Sequence, residues 1–264
     1  MISATTPWPY PTLFAHRGGG SLAPENTLAA IKMGLSHQFT AVEFDVKLSF
    51  DHIAHLMHDD TLERTTTGTG PVATQSMAAL EKLDAGAWHS AGFIGERIPR
   101  FSAVMQYLRN HATCANVEIK PCPQRERETG EAIAGWCSEF SRASVVKPLL
   151  SSFSLDALLA ARAVSADLPI GFLVETPEQS HLAALAKLNA VSLHCHHATL
   201  TRERVDFFHQ HGYRVMTYTV NDKARVAELI AMKVDGIFTD NLAVMAKKFG
   251  GALANGGKKP LLSA

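Results

Sequence analysis

The sequence predicts an α/β protein, a (β/α)8 TIM barrel with a small insertion between its second and third strands. Short β-rich runs alternate with segments of helical periodicity, eight such runs can be found, and all of them fit within 264 residues, the usual size of one barrel domain. No glycine-rich dinucleotide fingerprint opens the chain, which argues against an open doubly wound sheet.

The strands are expected near Thr12 to His16, Ala41 to Lys47, Ala115 to Lys120, Leu149 to Phe153, Pro169 to Glu175, Ala190 to His194, Tyr213 to Val220 and Asp235 to Asp240. Between them, apolar residues recur at helical spacing, as in Leu155, Leu158 and Leu159, then Leu182, Leu185 and Leu188, then Val226, Leu229 and Ile230. Ser154, Thr176 and Asn221 stand where an N-cap would satisfy the first free backbone N–H groups, and Pro177 suits a first helical turn. The stretch from His52 to Pro99 is rich in Thr, Gly and Ala and far longer than a βα connection of about 2–6 residues. It reads as a subdomain (52–99) inserted over one end of the barrel. Residues 1–250 then form a single domain, and 251–264, with three glycines and two lysines ahead of a proline, a flexible tail.

Composition removes several function classes. Twenty-five Lys and Arg balance 25 Asp and Glu, so the formal charge is zero, and there is no basic stripe of the kind that displaces counterions from nucleic acid. No apolar run approaches the ~18 residues of a membrane span, so stable membrane insertion is not expected. Met1 to Pro11 contains no Lys or Arg and has prolines at 7, 9 and 11, unlike a signal peptide, which predicts a cytoplasmic protein. Cys114, Cys122, Cys137 and Cys195 match neither a zinc pattern nor a disulfide framework, so buried thiols are expected.

Barrel enzymes carry their sites at the C-terminal ends of the strands. The first three predicted strands end in His16-Arg17-Gly18, Glu43-Phe44-Asp45 and Glu118-Ile119-Lys120. Residues i and i+2 of a strand share a face, about 6.6 Å apart at ~3.3 Å per residue. Glu43 and Asp45 therefore point together, as do Glu118 and Lys120. Carboxylates gathered in a barrel mouth repel one another and are costly to desolvate unless a cation neutralises them. A hard divalent ion suits oxygen ligands from Glu43, Asp45 and Glu118. His16 and His58 are candidates for acid and base work because imidazole titrates near neutrality. Gly18 and Gly19 permit a tight turn, and Arg17 offers a forked donor suited to phosphate oxygens. In His194-Cys195-His196-His197, soft ligands would require a second, different metal site, so His194 or His197 is read instead as a strand-end group within reach of the pocket or as a hydrogen-bonded wall.

Taken in order, the motifs are His16-Arg17-Gly18 followed by Pro24-Glu25-Asn26-Thr27; Glu43-Phe44-Asp45-Val46; His58-Asp59; Leu62 through Gly70; Val117-Glu118-Ile119-Lys120; Tyr218-Thr219-Val220-Asn221; and Gly236 through Asp240. Together they resemble the glycerophosphodiester phosphodiesterase family over about residues 13–247, most closely its small cytosolic bacterial members. The resemblance implies metal-dependent hydrolysis of glycerophosphodiesters, the deacylated phospholipids such as glycerophosphocholine, to sn-glycerol 3-phosphate and an alcohol. It implies His16 and His58 as general acid and base, with Glu43, Asp45 and Glu118 holding one divalent cation, Mg2+ or Ca2+. Arg17 and Lys120 would contact the phosphate, and the insertion would carry His58 to the barrel mouth. Tyr218, Phe153 and His194 are expected in the substrate pocket. Two positions depart from the family pattern: His52 replaces the usual turn glycine, which histidine tolerates better than most residues, and Tyr218 replaces a frequent Trp. A lysophospholipid phosphodiesterase on the same barrel and a non-catalytic glycerophosphodiester-binding module are the rival readings. The sequence leaves open which histidine is acid and which base, whether water or a substrate hydroxyl attacks, the head-group alcohol, and whether the chain forms homo-oligomers.

Overall fold

The structure, a computed structural model, describes residues 8–142 and 146–250. The tail expected at 251–264 lies outside the described residues. In chain order the principal elements are β1 (Leu13–Ala15), α1 (Leu28–Ser36), β2 (Ala41–Leu48), β3 (Ala54–Leu56), α2 (Met77–Leu80), α3 (Phe101–Asn110), β4 (Cys114–Ile119), α4 (Glu126–Ser141) and β5 (Leu149–Ser152). They continue as α5 (Leu155–Val164), β6 (Ile170–Val174), α6 (His181–Leu188), β7 (Ser192–His196), α7 (Arg202–Gln210), β8 (Arg214–Tyr218), α8 (Lys223–Ala231), β9 (Gly236–Thr239) and α9 (Leu242–Phe249). Strands β1, β2 and β4 to β9 are parallel, and β9 pairs back onto β1, so the eight close into a (β/α)8 barrel.

All eight expected strands are present, and β3 is additional. It runs antiparallel against the upper half of β2, with Val46 opposite Leu56 and Leu48 opposite Ala54. This edge of β2 is open because β1 is short and pairs with β2 only low down, at Val42. The hairpin turn places His52 at φ 60°, the left-handed conformation expected of it. Beyond β3, Met57, Leu62, Val72, Met77, Leu80, Ala85 and Ile98 enclose a small apolar core.

Alternation along the strands sorts the remaining apolar residues into two layers. Phe44 of β2 points outward, its ring 6.2 Å from that of Phe101 on α3, within the core between strands and helices. Tyr10, Phe14, Ala41, Cys114, Leu149, Met216 and Phe238 point inward and fill the lower barrel. Above them the inward positions turn polar, and the site lies there. The four cysteines are buried as thiols.

Two helix starts differ from expectation. Ser154 caps α5 by accepting from Ala157 N, as expected, but α8 is capped by Asp222, whose carboxylate accepts from Ala224 and Arg225 N. Helix α6 begins only at His181, leaving Thr176 and Pro177 in the preceding loop. Asn221 is engaged by Asp240 instead, as described below.

Away from the site, Arg162 on α5 joins successive βα units. Its guanidinium donates to the carbonyls of Ser165, Ala166, Leu168, Leu188 and Asn189, at 2.8–3.1 Å. Arg162→Ala would remove these charge-assisted donors from carbonyls at the ends of two helices. We expect a loss of about 2–3 kcal/mol, seen as a lower urea midpoint with unchanged m-value and unchanged turnover per folded molecule.

Candidate active site

The pairing of β2 with β4 brings Asp45 level with Glu118, both facing inward, and Glu43 lies two residues below Asp45 on the same face. One oxygen from each carboxylate falls within 4.8 Å of the others. Glu43 and Asp45 are buried. Burial and the neighbouring Asp45 charge push the Glu43 carboxyl up to about 8, and the same two causes take Glu118 to about 7. For Asp45, burial is outweighed by the Arg17, Lys120 and His58 charges and by the Asn26 amide, which hold it below the ordinary carboxylate range. Asn26 makes a reciprocal pair with Asp45, donating from Nδ2 to Oδ2 at 2.8 Å and accepting from the Asp45 N–H at 3.0 Å.

These residues fit a hard divalent cation. All the donors are oxygens, Glu43 Oε1 is buried without a partner, and the raised carboxyls signal negative charge that the protein's own cations leave incompletely balanced. Among the described residues, Glu43, Asp45 and Glu118 are the one cluster of three ligand-bearing side chains so placed. The His194 to His197 run forms no such cluster.

Each of the two histidines is oriented by a carboxylate. His16 follows β1, and barrel closure sets Ala15 beside Thr239 of β9, so that His16 Nδ1 meets Asp240 Oδ1 at 2.7 Å. Asn221 holds Asp240 in turn, donating to its Oδ2 at 2.9 Å and accepting its N–H at 2.7 Å. His16 Nε2 lies 3.8 Å from Glu43 Oε2. Burial lowers the His16 pKa, but the Asp240 hydrogen bond and the Glu43 and Asp240 charges outweigh it, leaving it raised. His58, just past β3, places Nδ1 2.6 Å from Asp59 Oδ1 and Nε2 2.9 Å from Lys120 Nζ. Burial prevails over the Asp45 charge there, and its pKa is lowered. An ammonium can only donate, so His58 Nε2 accepts from Lys120 while Nδ1–H donates to Asp59.

The two cations complete the cluster. Lys120 Nζ also donates to Glu118 Oε1 at 3.1 Å. Arg17 adopts φ 50°, an unfavourable conformation for a residue with a Cβ, in which its N–H donates to Glu43 Oε2 at 2.9 Å. Its guanidinium donates to Glu25 at 2.7 Å and lies 3.7 Å from Asp45. Arg64 then bridges Glu25 and Asp59, joining the surroundings of the two histidines through one chain of ion pairs. At Gly20, with φ 54°, a Cβ would lie 2.2 Å from the Asp240 carbonyl oxygen, so the turn after His16 requires glycine.

The opposite wall of the cavity, which measures about 250 Å³, includes Phe153, Glu175, His194 and Tyr218. The Tyr218 hydroxyl donates to the Val174 carbonyl at 2.9 Å, and its ring meets Phe153 edge to face at 5.9 Å. His194 occupies the middle of β7, not a strand end, and forms part of the cavity floor. Its Nε2 contacts Ser192 Oγ at 2.8 Å, its Nδ1 has no partner, and burial drives its pKa down to about 3. His197 lies past the strand, its ring stacked on His196.

All ten candidate residues from the sequence therefore line one cavity. Asp240, Asp59, Asn26 and Asn221 stand within the sequence motifs, but the motifs assign none of them its orienting role. The signal for Asp240 was available, because a closed barrel must bring the end of the last strand beside the end of the first.

Comparison with known proteins identifies the family. The profile of the glycerophosphoryl diester phosphodiesterase family matches residues 16–244. A glycerophosphodiester phosphodiesterase of Caldanaerobacter subterraneus is 32% identical over 235 residues, covering 87% of this chain and 93% of that one. Among solved structures, a phosphodiesterase from Oleispira antarctica in complex with the product sn-glycerol-3-phosphate is 31% identical, with a TM-score of 0.85 over 90% of this chain and 96% of that one. A glycerophosphodiester phosphodiesterase from Agrobacterium tumefaciens is 27% identical, with a TM-score of 0.77 over 90% and 99%. With the family profile matching residues 16–244 and relatives more than 30% identical over most of its length, the chain belongs to the glycerophosphoryl diester phosphodiesterase family.

Proposed function

We propose that this enzyme hydrolyses glycerophosphodiesters to sn-glycerol 3-phosphate and an alcohol by two-histidine acid–base catalysis. The observation that carries the proposal is the pair of imidazoles, each held at Nδ1 by a carboxylate, with Nε2 toward Glu43 in one and toward Lys120 in the other, lining the same cavity as a three-carboxylate cluster. A phosphodiester anion repels nucleophiles, and its leaving alkoxide needs a proton. Arg17 and Lys120 draw in the non-bridging oxygens and offset their charge. One histidine takes the proton of the nucleophile and the other gives a proton to the departing alcohol; water attacks directly, or the glycerol hydroxyl attacks first and water then opens the resulting cyclic phosphate to sn-glycerol 3-phosphate. Asp240 and Asp59 hold the two rings and stabilise whichever is charged. Glu43, Asp45 and Glu118 would hold Mg2+ or Ca2+, which supplies further positive charge toward the phosphate when bound.

The cavity's modest volume and its polar floor at His194 support a small glycerophosphodiester over an acyl-bearing lysophospholipid. Phe153 and Tyr218 form the wall for the glycerol or alcohol portion. Residues 1–250 are proposed to act as one domain, with the 52–99 segment contributing His58. No helix among the described residues is long and apolar enough to cross a membrane, and we propose that the enzyme acts on water-soluble substrates in the cytoplasm.

The direct test is release of sn-glycerol 3-phosphate from glycerophosphocholine by protein stripped with EDTA and reconstituted with Mg2+ or Ca2+. Metal-restored release is expected. Absence of release with either ion, across several head groups, would overturn the reading. His16→Ala and His58→Ala should each lower turnover roughly 10²- to 10⁴-fold with the fold intact, and activity within about twofold of the parent would remove that residue from its role.

The raised carboxyls give a pH signature in the stripped protein. Glu43 at about 8 and Glu118 at about 7 keep protons in the folded state that the unfolded chain has released above its ordinary value near 4.5. Their contribution therefore falls as pH rises from about 4.5 through 8. Metal binding displaces those protons, so the gain in Tm on adding saturating metal should be larger at pH 8 than at pH 6. An equal or smaller gain at pH 8 would contradict the assignment of Glu43 and Glu118 as ligands.

A further inference from the structure

The mechanism leaves one buried charge unused. Lys47 follows Asp45 by two residues on the inward face of β2, and its side chain is 1% exposed. An ammonium in a barrel wall is costly to desolvate and adds nothing to the apolar core. Lys47 Nζ donates to Asp60 Oδ1 at 2.6 Å and to the backbone carbonyl of Lys120 at 3.1 Å. Asp60 lies two residues after His58, and Lys120 is the residue His58 touches. The ammonium thus bridges the two segments whose side chains meet at 2.9 Å in the site.

That meeting is not self-sustaining. Both Lys120 and His58 can carry positive charge, and the contact persists only while the imidazole stays neutral and is held in place. Met57 N donates to Asp45 O at 3.1 Å, just before His58, but beyond it the chain turns into the insertion, where Val72 N bonds the Asp60 carbonyl. Besides the His58–Lys120 contact itself, the Lys47 bond to Asp60 ties this turn back to the barrel strands that carry the carboxylates. The fully buried His55 sits opposite Lys47 in the β2–β3 register, walling it from solvent on that side.

We propose that Lys47 is a positioning residue, whose buried ammonium clamps the His58 segment to the end of the strand that carries Lys120 and thereby fixes the distance between the two side chains. Because the pair it sets is the one assigned to proton transfer and phosphate binding, the kinetic consequence rests on the function proposed above. A misplacement near 1 Å at a reacting group costs up to about 100-fold in rate.

The test is Lys47→Met in the metal-loaded, full-length enzyme. Methionine retains much of the length and apolar stem, and Asp60, half exposed, is left with water, so folding should survive with Tm unchanged or raised. On glycerophosphocholine, kcat should fall about 10- to 100-fold with KM within about twofold. Amide hydrogen exchange at 57–60 should rise at least about 10-fold while β4 to β9 stay protected. Asp60→Asn should act in the same direction, and the double variant should be little worse than Lys47→Met alone, since both remove one link. A kcat within about twofold of the parent, a loss confined to KM, a loss matching a fall in folded fraction, or unchanged exchange at 57–60 would each overturn the proposal. If the parent enzyme releases product from no glycerophosphodiester, the proposed reaction fails, and the exchange measurement still decides the clamp.

Discussion

Three carboxylates crowded into the mouth of a closed barrel are the constraint to which the rest of the structure answers. Without compensation they would be protonated or would push the strands apart. The protein concentrates its answer on Asp45, which receives Arg17, Lys120 and the Asn26 amide, while Glu43 accepts a backbone N–H. Supplying that N–H obliges Arg17 to take a left-handed backbone, and the turn that follows admits only glycine at position 20. The apolar lower barrel, from Phe14 to Phe238, carries the packing that lets the upper barrel remain charged.

A second ring of charge then orients the first. Asp240, Asp59 and Glu25 do not join the carboxylate cluster; they hold His16, His58 and Arg17 against it, and Arg64 ties two of them together. The fold supplies this ring from strand ends, the turn after β1 and the insertion, so residues from opposite ends of the chain share one electrostatic environment. Barrels of this kind host many chemistries, and the family assignment rests on the matched profile and the sequence relatives, not on the barrel alone.

Much of this was legible in the sequence because the signals are periodic or local. Alternation along β2 put Glu43 and Asp45 on one face, and the positions of His16 and Glu118 at strand ends followed from the barrel reading. Strand β3 was not legible. It has three residues, too few for a period, and it forms because β1 leaves an edge of β2 unpaired. Asn221 looked like a helix cap because an Asn ahead of a helix usually is one. Asp222 beside it caps equally well, freeing Asn221 for Asp240. His194 was placed one register too high, at the rim, since strand ends are the least certain feature of a pattern and β7 continues to His196.

The contact between His16 and Asp240 spans 224 positions of the chain. During synthesis Asp240 emerges 224 residues after His16, so a growing chain has both histidines and all three carboxylates long before it has the group that sets the first imidazole. The final strand closes the barrel and completes the site in the same docking event. Assembly of the fold and onset of chemistry are thereby one step, and an unfinished chain is electrostatically incomplete at the very residue that opens its first motif.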